Sequence, residues 1–202
     1  MEFWDKFARY YDVAEKLNGE VCNEMCGLTR RLVPKGAKVL ECAAGTGELS
    51  LAAAARAESV LCTDNSENML REARRKADRQ GAFNISFTRQ NIFRLDLPDE
   101  SFDIVIAGNV LHLLNAPENA VKELWRVTKR GGRILLPTFM TRENSAVSGV
   151  LLAVYKKLGF SPCTEYNPRS YIFMLKGCGL GRVKAKLIKG TIPCCYAVIV
   201  KD

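Results

Sequence analysis

At residues 39–49 the chain reads Val39-Leu40-Glu41-Cys42-Ala43-Ala44-Gly45-Thr46-Gly47-Glu48-Leu49. The apolar first part predicts a β-strand, and the alanine-rich part that begins at Glu48 predicts a helix. Gly45 and Gly47 lie between the two, and glycine accepts positive φ angles and lets a ligand approach the backbone. The first turn of a helix also presents unpaired N–H groups and the positive end of the helix dipole. The stretch therefore predicts a ligand-binding turn between a strand and a helix.

Strand and helix patterns alternate along the rest of the chain. Strands are predicted at 38–42, 59–63, 85–89, 102–107 and 133–139, and helices at 48–56, 66–79 and 117–128. Such alternation implies right-handed crossovers and a mostly parallel, doubly wound sheet with helices on both faces. Two closing strands at 182–188 and 194–200 are predicted to form an antiparallel hairpin. We therefore expect an α/β, Rossmann-like fold of seven strands, mostly parallel, with an antiparallel C-terminal hairpin.

Helical segments are expected on both sides of this core. The apolar spacing over residues 3–32 is helical, with Gly19 separating two helices, and further helices are predicted at 144–158 and 168–176. Gly131 and Gly132 are predicted to end the region before the fifth strand. With 202 residues, the chain has the length of a single domain. That domain is expected to comprise a helical lid at 1–34, a cofactor-binding core at 36–140, and substrate-side helices and the closing hairpin at 141–202.

Composition and charge restrict the class of protein. The chain is 48% hydrophobic and 26% charged, which is ordinary for a soluble globular protein. Its formal net charge of +8 is interpreted first as a contribution to solubility. An acidic binding partner is the second interpretation of this charge. No apolar stretch is long enough for a membrane span, and because the start is polar no signal peptide is expected. Because Cys42 and Cys62 lie in apolar strands, the cysteines are expected to be reduced in a cytoplasmic protein.

A carboxylate at the end of the second predicted strand identifies the kind of cofactor. Asp64 follows the glycine turn by about twenty residues, where an acidic side chain can accept both hydroxyls of a ribose. The pair indicates an adenosine-type cofactor. A dinucleotide would place its pyrophosphate on the turn, and Glu41 and Glu48 beside the turn would repel that pyrophosphate. S-adenosylmethionine carries a sulfonium and an ammonium and no phosphate, so it is favoured over NAD.

Four segments together resemble the class I S-adenosylmethionine-dependent methyltransferases. Residues 39–47 are similar to the first motif of that family, and 91–105 to its third-strand loop and fourth strand. Residues 109–114 resemble the segment after the fourth strand, and 123–132 the helix and turn before the fifth. The closest group is the small-molecule branch that includes the ubiquinone/menaquinone-type C-methyltransferases (methyltransferase type 11). The resemblance implies a transferase that moves a methyl group to a small-molecule acceptor and leaves S-adenosylhomocysteine.

The resemblance also implies which residues contact the cofactor. Glu41 is expected near the amino group of S-adenosylmethionine, and Asp64 on the ribose hydroxyls. The other expected contacts are Cys42, Ala43, Gly45 and Gly47 at the methionine moiety, Asn65 and Met69 flanking the adenine, Asn91 and Ile92 at the adenine edge, Asn109 beside the methyl group, and Tyr11 as an aromatic lid residue.

Two residues depart from the family pattern. Ala43 stands where the first glycine is usual, and a methyl group there is tolerated if φ is negative. Asn91 stands where an aspartate is common, and its amide oxygen can still accept a hydrogen bond from an amine, without charge. Because of these departures, a non-catalytic S-adenosylmethionine-binding domain remains an alternative.

His112 is the only histidine of the chain and follows the fourth strand. It is a candidate general base, and the alternative is a pocket residue with no part in proton transfer.

No metal is expected, because the spacings of Cys22 and Cys26 and of Cys194 and Cys195 match no zinc motif.

The acceptor is expected to bind beside the N-terminal helices and residues 140–178. A nucleic-acid acceptor is not expected, because residues 109–112 do not match the amino-methylating enzymes that act on nucleic acids. A methyltransferase acting on a protein or RNA nevertheless remains an alternative. One helix is strongly basic and is interpreted as a solvated face: Arg71, Arg74, Arg75, Lys76 and Arg79. A further set is aromatic or apolar and forms either the acceptor pocket or ordinary core: Tyr10, Tyr11, Phe139, Met140, Tyr155, Tyr166, Tyr171 and Phe173.

Overall fold

The computed structural model describes residues 18–142 and 162–202. Within this part, seven strands form one sheet in the order β3-β2-β1-β4-β5-β7-β6. The strands are β1 Lys38–Glu41, β2 Ser59–Asp64, β3 Ile85–Arg89, β4 Phe102–Ile106, β5 Thr128–Phe139, β6 Arg182–Ile188 and β7 Cys194–Val200. Strands β1 to β5 pair in parallel, and β7 is antiparallel to both β5 and β6. The expected seven-stranded, mostly parallel sheet with an antiparallel hairpin is confirmed.

Helices cover both faces of the sheet, as expected. The described helices are α1 Gly19–Leu32, α2 Glu48–Ala54, α3 Glu67–Gln80, α4 Pro117–Val127, α5 Pro168–Gly177 and a short 3-10 helix Leu111–Leu113. On one face, α1 and α2 pack on side chains such as Val39 and Ile104. On the other face, α4 and α5 pack on side chains such as Leu40 and Val105. The alternation of adjacent strand residues between the two faces follows from the pleat of a β-strand. The helices predicted at 144–158 and before Gly19 lie outside the described residues.

Local signals in the sequence fix several helix ends. Ser66 caps α3, because its side chain accepts a hydrogen bond from the Met69 N–H at 3.2 Å. Asn167 and Ser170 form a capping box at the start of α5. Pro117 begins α4, at a position where the missing N–H of proline has no cost. These ends agree with the predicted helices within one or two residues.

Strand β5 begins five residues earlier than predicted. Gly131 and Gly132 do not precede the strand but lie inside it, at a register shift where β4 and β5 pair. Gly131 has a φ of +74°, and its N–H donates to the Lys201 carbonyl at 2.6 Å. A Cβ on Gly132 would lie 2.8 Å from the Asp103 carbonyl oxygen. The glycine pair therefore permits a bulge within the strand.

No disulfide joins the eight cysteines, all of which lie in the described part. Cys194 and Cys195 are adjacent in β7 and point to opposite faces of the sheet, so each fills a different core. Among residues 18–142 and 162–202, no helix is both long and apolar enough to cross a bilayer.

The strand order reverses between β1 and β4, which are neighbours in the sheet although two strands separate them in sequence. In doubly wound folds, ligands bind outside the carboxyl ends of the strands at such a point. The glycine turn after β1 lies at this position.

Candidate cofactor site

The turn between β1 and α2 is held against the end of β2 by backbone hydrogen bonds. The Ala44 N–H donates to the Thr63 carbonyl at 2.9 Å, and the Gly47 N–H closes the turn on the Ala44 carbonyl at 2.9 Å. Gly45 and Gly47 have φ angles of +55° and +81°. Glycine adopts this left-handed region without strain, as predicted from the sequence.

Ala43 also lies in the left-handed region, with a φ of +51°. Its methyl group was expected to be tolerated if φ is negative, and that condition is not met. An L-residue with a Cβ is strained here by roughly 1–2 kcal/mol relative to an ordinary backbone conformation. The position usually filled by the family's first glycine therefore keeps its glycine-like backbone in this chain.

Helix α3 packs directly on the turn. A Cβ on Gly47 would lie 3.0 Å from the Ala73 Cβ. The buried Lys76 donates from Nζ to the Thr46 Oγ1 at 2.8 Å and to the Glu48 Oε1 at 2.6 Å. The expectation that Lys76 belongs to a solvated basic face was wrong, because these bonds draw it into the turn. Because Lys76 neutralises Glu48, Glu41 is the main carboxylate that is expected to repel a pyrophosphate.

Glu41 ends β1 and is buried. Its Oε2 accepts a short hydrogen bond from the Ser50 hydroxyl on α2, and its backbone carbonyl accepts one from the Thr63 hydroxyl at 2.8 Å. The carboxylate thus lies next to the glycine turn and against the first turns of α2. Its predicted contact with the amino group of the cofactor remains a prediction.

Asp64 ends β2 and organises the same turn. Its Oδ2 accepts the Gly45 N–H at 2.8 Å, and its Oδ1 accepts the Ser66 N–H at 2.8 Å. These two bonds fix the orientation of the carboxylate beside the turn. Of the two residues predicted to flank the adenine, Asn65 is exposed and Met69 is buried at the start of α3.

Asn91 follows β3 and forms a tight local turn. Its side-chain Oδ1 accepts the Phe93 N–H at 3.0 Å, and its carbonyl accepts the Arg94 N–H at 2.9 Å. The amide oxygen that was expected to receive an amine therefore already accepts a backbone N–H. The neighbouring Ile92 is buried.

Helix α4 clamps the loop that follows Asn91. Arg126 donates to the carbonyls of Leu95 at 3.0 Å and Leu97 at 2.8 Å. Glu123 accepts the Leu95 N–H at 2.8 Å, and its hydrogen bond with Arg126 lowers the pKa of its carboxyl. From the sequence, both residues belong only to the segment 123–132 that resembles the family, and no role was predicted for either. Their contacts join two segments about 30 residues apart, which spacing along one helix does not reveal.

Asn109 follows β4 at the point where the sheet order reverses. Its N–H donates to the Pro137 carbonyl at 2.8 Å, and its φ is +52°, a conformation that asparagine tolerates better than most residues. A Cβ on the preceding Gly108 would lie 2.5 Å from the Leu49 Cδ1, so a side chain there would displace Leu49. The Asn109 Oδ1 is buried and finds no hydrogen-bond partner among the described residues.

His112 lies in the 3-10 helix after β4 and is buried, with 1% of its surface exposed. Burial lowers the pKa of its imidazole to about 4. The imidazole is therefore neutral at pH 7 and a weak base. General-base catalysis works best when the pKa lies near the working pH, so this environment does not favour that role.

The remaining predicted residues lie in or against the core, as Met140 and Phe139 do, at the surface, or outside the described residues. The Cys42 side chain lies in the core, and burial raises the pKa of its thiol to about 12. Tyr166 and Tyr171 pack against each other in the core with ring centroids 5.2 Å apart, whereas Phe173 is exposed. The predicted lid residue Tyr11 lies outside the described residues, as do Tyr10 and Tyr155.

In the part of the chain that the structure describes, no group of three or more histidine, cysteine, aspartate or glutamate side chains is arranged to hold a metal ion.

Comparisons with known proteins agree with this geometry. A family described as methyltransferase domain matches residues 40–136. Phosphatidylethanolamine N-methyltransferase of Cereibacter sphaeroides is 37% identical over 61% of this chain and 59% of the relative. Demethylmenaquinone methyltransferase of Clavibacter sepedonicus is 38% identical over 56% of this chain and 46% of the relative. The chain thus spans about half the length of the curated relatives that it matches.

The fold has a solved counterpart over nearly its whole length. An S-adenosylmethionine-dependent methyltransferase from Aquifex aeolicus superposes with a TM-score of 0.70, covering 94% of this chain and 98% of that one. The sequence identity is 20%, so this likeness shows the fold alone. Residues 40–136 are thus similar to a methyltransferase domain, and the structure around them has the fold of that solved methyltransferase. These comparisons support S-adenosylmethionine as the expected cofactor.

The described residues fit that cofactor chemically. Oxygen acceptors from Glu41, Asp64 and Asn109 lie at the carboxyl ends of three neighbouring strands. Carboxylate and amide oxygens accept hydrogen bonds from an ammonium group and from ribose hydroxyls. The buried Asn109 Oδ1 in particular lacks a partner within the described residues, as expected for an atom that a ligand satisfies.

Proposed function

We propose that this protein transfers the methyl group of S-adenosylmethionine to a small-molecule acceptor by in-line displacement. One observation carries the proposal: the left-handed turn after β1 and the side chains of Asp64 and Asn109 converge where the strand order reverses. When bound, S-adenosylmethionine supplies a methyl group on an activated sulfonium. The protein then has mainly to align the acceptor with that methyl group, which is the kind of contribution that a preformed site provides.

The proposed cofactor contacts follow the strand ends. The turn at 42–47 lies along the methionine moiety, with its amino group near Glu41, and Asn109 borders the transferable methyl group. Asp64 accepts the ribose hydroxyls. The adenine lies between the start of α3 and the loop after β3, where it contacts Asn65, Met69, Asn91 and Ile92. We retain Tyr11 as the lid residue, and the single domain with its lid at 1–34, core at 36–140 and acceptor side at 141–202.

His112 is proposed to shape the wall of the acceptor side. Its role as a general base stays a prediction, and the pKa of about 4 speaks against it. An acceptor that is already nucleophilic at neutral pH needs no such base. The protein then contributes orientation and the exclusion of water.

Two features support a small-molecule acceptor over a macromolecule. The curated relatives include a phosphatidylethanolamine N-methyltransferase and a demethylmenaquinone methyltransferase, whose names specify a lipid and a quinone. The basic helix α3 is also partly neutralised, because Lys76 pairs with Glu48 and Arg75 pairs with Glu72 at 2.7 Å. Less positive charge is therefore available on this helix for a nucleic acid. A cytoplasmic location remains a prediction.

The proposal is tested by following the methyl group. Purified protein is incubated with methyl-labelled S-adenosylmethionine and with separate small-molecule, lipid, protein and RNA fractions of a cell extract. Label is expected in organic-soluble or acid-soluble products. Label recovered only in acid-precipitable protein or RNA would favour a macromolecular acceptor. Binding of the cofactor without transfer to any fraction would favour the non-catalytic alternative.

A further inference from the structure

Two buried side-chain oxygens at the carboxyl ends of β4 and β5 are unsatisfied. The Asn109 Oδ1 and the Thr141 Oγ1 are both buried, and neither has a hydrogen-bond partner in the described part of the chain. Most buried polar atoms in proteins are hydrogen-bonded, and an exception calls for an explanation such as a ligand. Asn109 has a role in the proposed cofactor site, whereas Thr141 was not singled out from the sequence.

The backbone on both sides of Thr141 is hydrogen-bonded, although the hydroxyl of this residue is unsatisfied. The residue is 3% exposed. On one side of it, the Met140 N–H donates to the Pro193 carbonyl at 2.7 Å, and on the other, the Arg142 N–H donates to the Tyr166 carbonyl at 3.2 Å. The backbone is thus fixed on both sides, and the hydroxyl is kept in a buried position where it has no partner within the described residues.

Thr138, on the same strand, shows the ordinary arrangement. Its Oγ1 donates to the Tyr171 hydroxyl at 2.9 Å, and that hydroxyl donates to the Leu136 carbonyl at 3.0 Å. The same side chain three residues earlier is therefore fully bonded within the core. Unlike the Thr138 hydroxyl in β5, the Thr141 hydroxyl just after this strand is therefore available for a ligand.

The two unsatisfied oxygens belong to residues that follow adjacent strands, Asn109 after β4 and Thr141 after β5. The Asn109 N–H donates to the Pro137 carbonyl of β5, so the segment after β4 runs alongside the end of β5. An amide oxygen only accepts hydrogen bonds, and a threonine hydroxyl donates or accepts. A ligand group that satisfies both must therefore donate a hydrogen bond to Asn109. Hydroxyl and amino groups do so, whereas a carboxylate or a phosphate dianion has no proton to donate.

We propose that Thr141 is a specificity-determining residue for the methyl acceptor, and that with Asn109 it binds a hydroxyl or amino group of that acceptor. The inference rests on the proposed function, because the subsite lies beside the proposed position of the transferable methyl group. It assigns the acceptor to compounds with a hydrogen-bond donor near the methylated atom. Compounds that present an anionic group at that position are excluded.

Phenol and benzoate are matched probes for this subsite. They share one aromatic ring, but at pH 7 phenol donates a hydrogen bond and benzoate does not. Binding of each to protein saturated with S-adenosylhomocysteine is followed by nuclear magnetic resonance titration. We expect phenol to bind at least about tenfold more tightly than benzoate, and Thr141→Val to weaken phenol binding about fivefold. Equal binding of benzoate would instead indicate an anion site served by the exposed Arg142 and would overturn the proposal.

Thr138→Val is the control, since it removes the same hydroxyl from a bonded site. It is expected to lower the melting temperature by about 2–4 °C and to leave the phenol affinity of the folded protein unchanged. Thr141→Val is expected to keep or raise the melting temperature, because it removes an unsatisfied hydroxyl. Absence of phenol binding, or an unchanged phenol affinity in Thr141→Val, overturns the proposal. Failure of the wild-type protein to bind S-adenosylhomocysteine overturns the proposed function, and the inference with it.

Discussion

The backbone N–H of Gly45 donates a 2.8 Å hydrogen bond to the Asp64 Oδ2, 19 residues further along the chain. The bond joins the turn after β1 to the end of β2. The Ser66 N–H holds the other carboxylate oxygen at 2.8 Å, so both oxygens are oriented. Such a preformed acceptor costs little ordering when a ligand binds. The contact that organises the turn thus also places the proposed ribose-binding carboxylate.

Replacing Asp64 by alanine is expected to weaken the binding of S-adenosylhomocysteine. The variant loses a charge-assisted hydrogen bond to the ribose, equivalent to roughly 1.5–3 kcal/mol or about 10- to 150-fold in affinity. Calorimetric titration of the folded variant measures the change. Asp78→Ala, an exposed residue on α3, serves as the control and should bind like the wild type. An unchanged affinity in Asp64→Ala would remove the ribose assignment.

Ala43→Gly is expected to stabilise the protein. Glycine relieves the strain of a φ of +51°, although part of the gain is offset by the greater freedom of glycine in the unfolded chain. We expect a net increase of about 0.5–1 kcal/mol in the free energy of unfolding, measured by urea denaturation. Ala44→Gly, at a residue without positive φ, should instead lower it by a similar amount. Destabilisation by both changes would contradict the strained conformation of Ala43.

His112 is expected to make stability depend on pH. Its pKa is about 4 in the folded protein and near 6.5 when unfolded, so only the unfolded state binds the proton between these values. Stability is therefore fully present above pH 6.5 and falls as the pH drops towards 4, by about 3 kcal/mol over the whole window. His112→Gln should remove this component when unfolding is measured at pH 7 and pH 4.5. The expectation fails if the variant and the wild type lose stability equally.

The same group gives an expectation for catalysis. Once an acceptor is known, His112→Gln should retain most of its turnover, because an imidazole with a pKa of about 4 is a poor proton acceptor at neutral pH. The rate-against-pH profile should show no rise near pH 6–7 that disappears in the variant. A loss of roughly 100-fold or more, with the fold intact, would reinstate the general-base role.

Arg126 is expected to be a main contributor to the stability of the loop after β3. Arg126→Ala removes its hydrogen bonds to the Leu95 and Leu97 carbonyls and should cost about 2–3 kcal/mol in urea unfolding. Arg126→Lys should recover little, because a single ammonium cannot reproduce the planar fork of a guanidinium. Arg130→Ala, whose exposed side chain lies 3.6 Å from Glu100, should change stability by less than about 0.5 kcal/mol. Equal losses of stability in both arginine variants would contradict the proposed stabilisation of the loop by Arg126.

The order of elements could be predicted from the sequence because apolar runs and helix signals are local. The alternation of strand and helix implied the parallel core, and the bounds of β3, β6 and β7 were as predicted. The bulge in β5 was missed, because Gly131-Gly132 was interpreted as an end of structure. A glycine pair does not by itself distinguish a turn from a bulge.

The site was predicted in part. The positions of Asp64 and of the glycine turn could be predicted from the residue pattern at the ends of the strands. The positive φ of Ala43 could not, because it depends on the hydrogen bonds that join the turn to β2. The burial of Lys76 had a detectable signal, since it lies seven residues after Met69 and three after Ala73, on one helix face. The burial of Thr141 could not be predicted from the sequence, because its unsatisfied hydroxyl results from packing against distant segments.

The central claim is that the turn after β1 binds S-adenosylmethionine and not a dinucleotide. Calorimetric titration of the wild-type protein with S-adenosylmethionine, S-adenosylhomocysteine and NAD tests it most directly. We expect micromolar binding, about −8 kcal/mol, of the first two and no binding of NAD. Binding of NAD, or of none of the three, would contradict it.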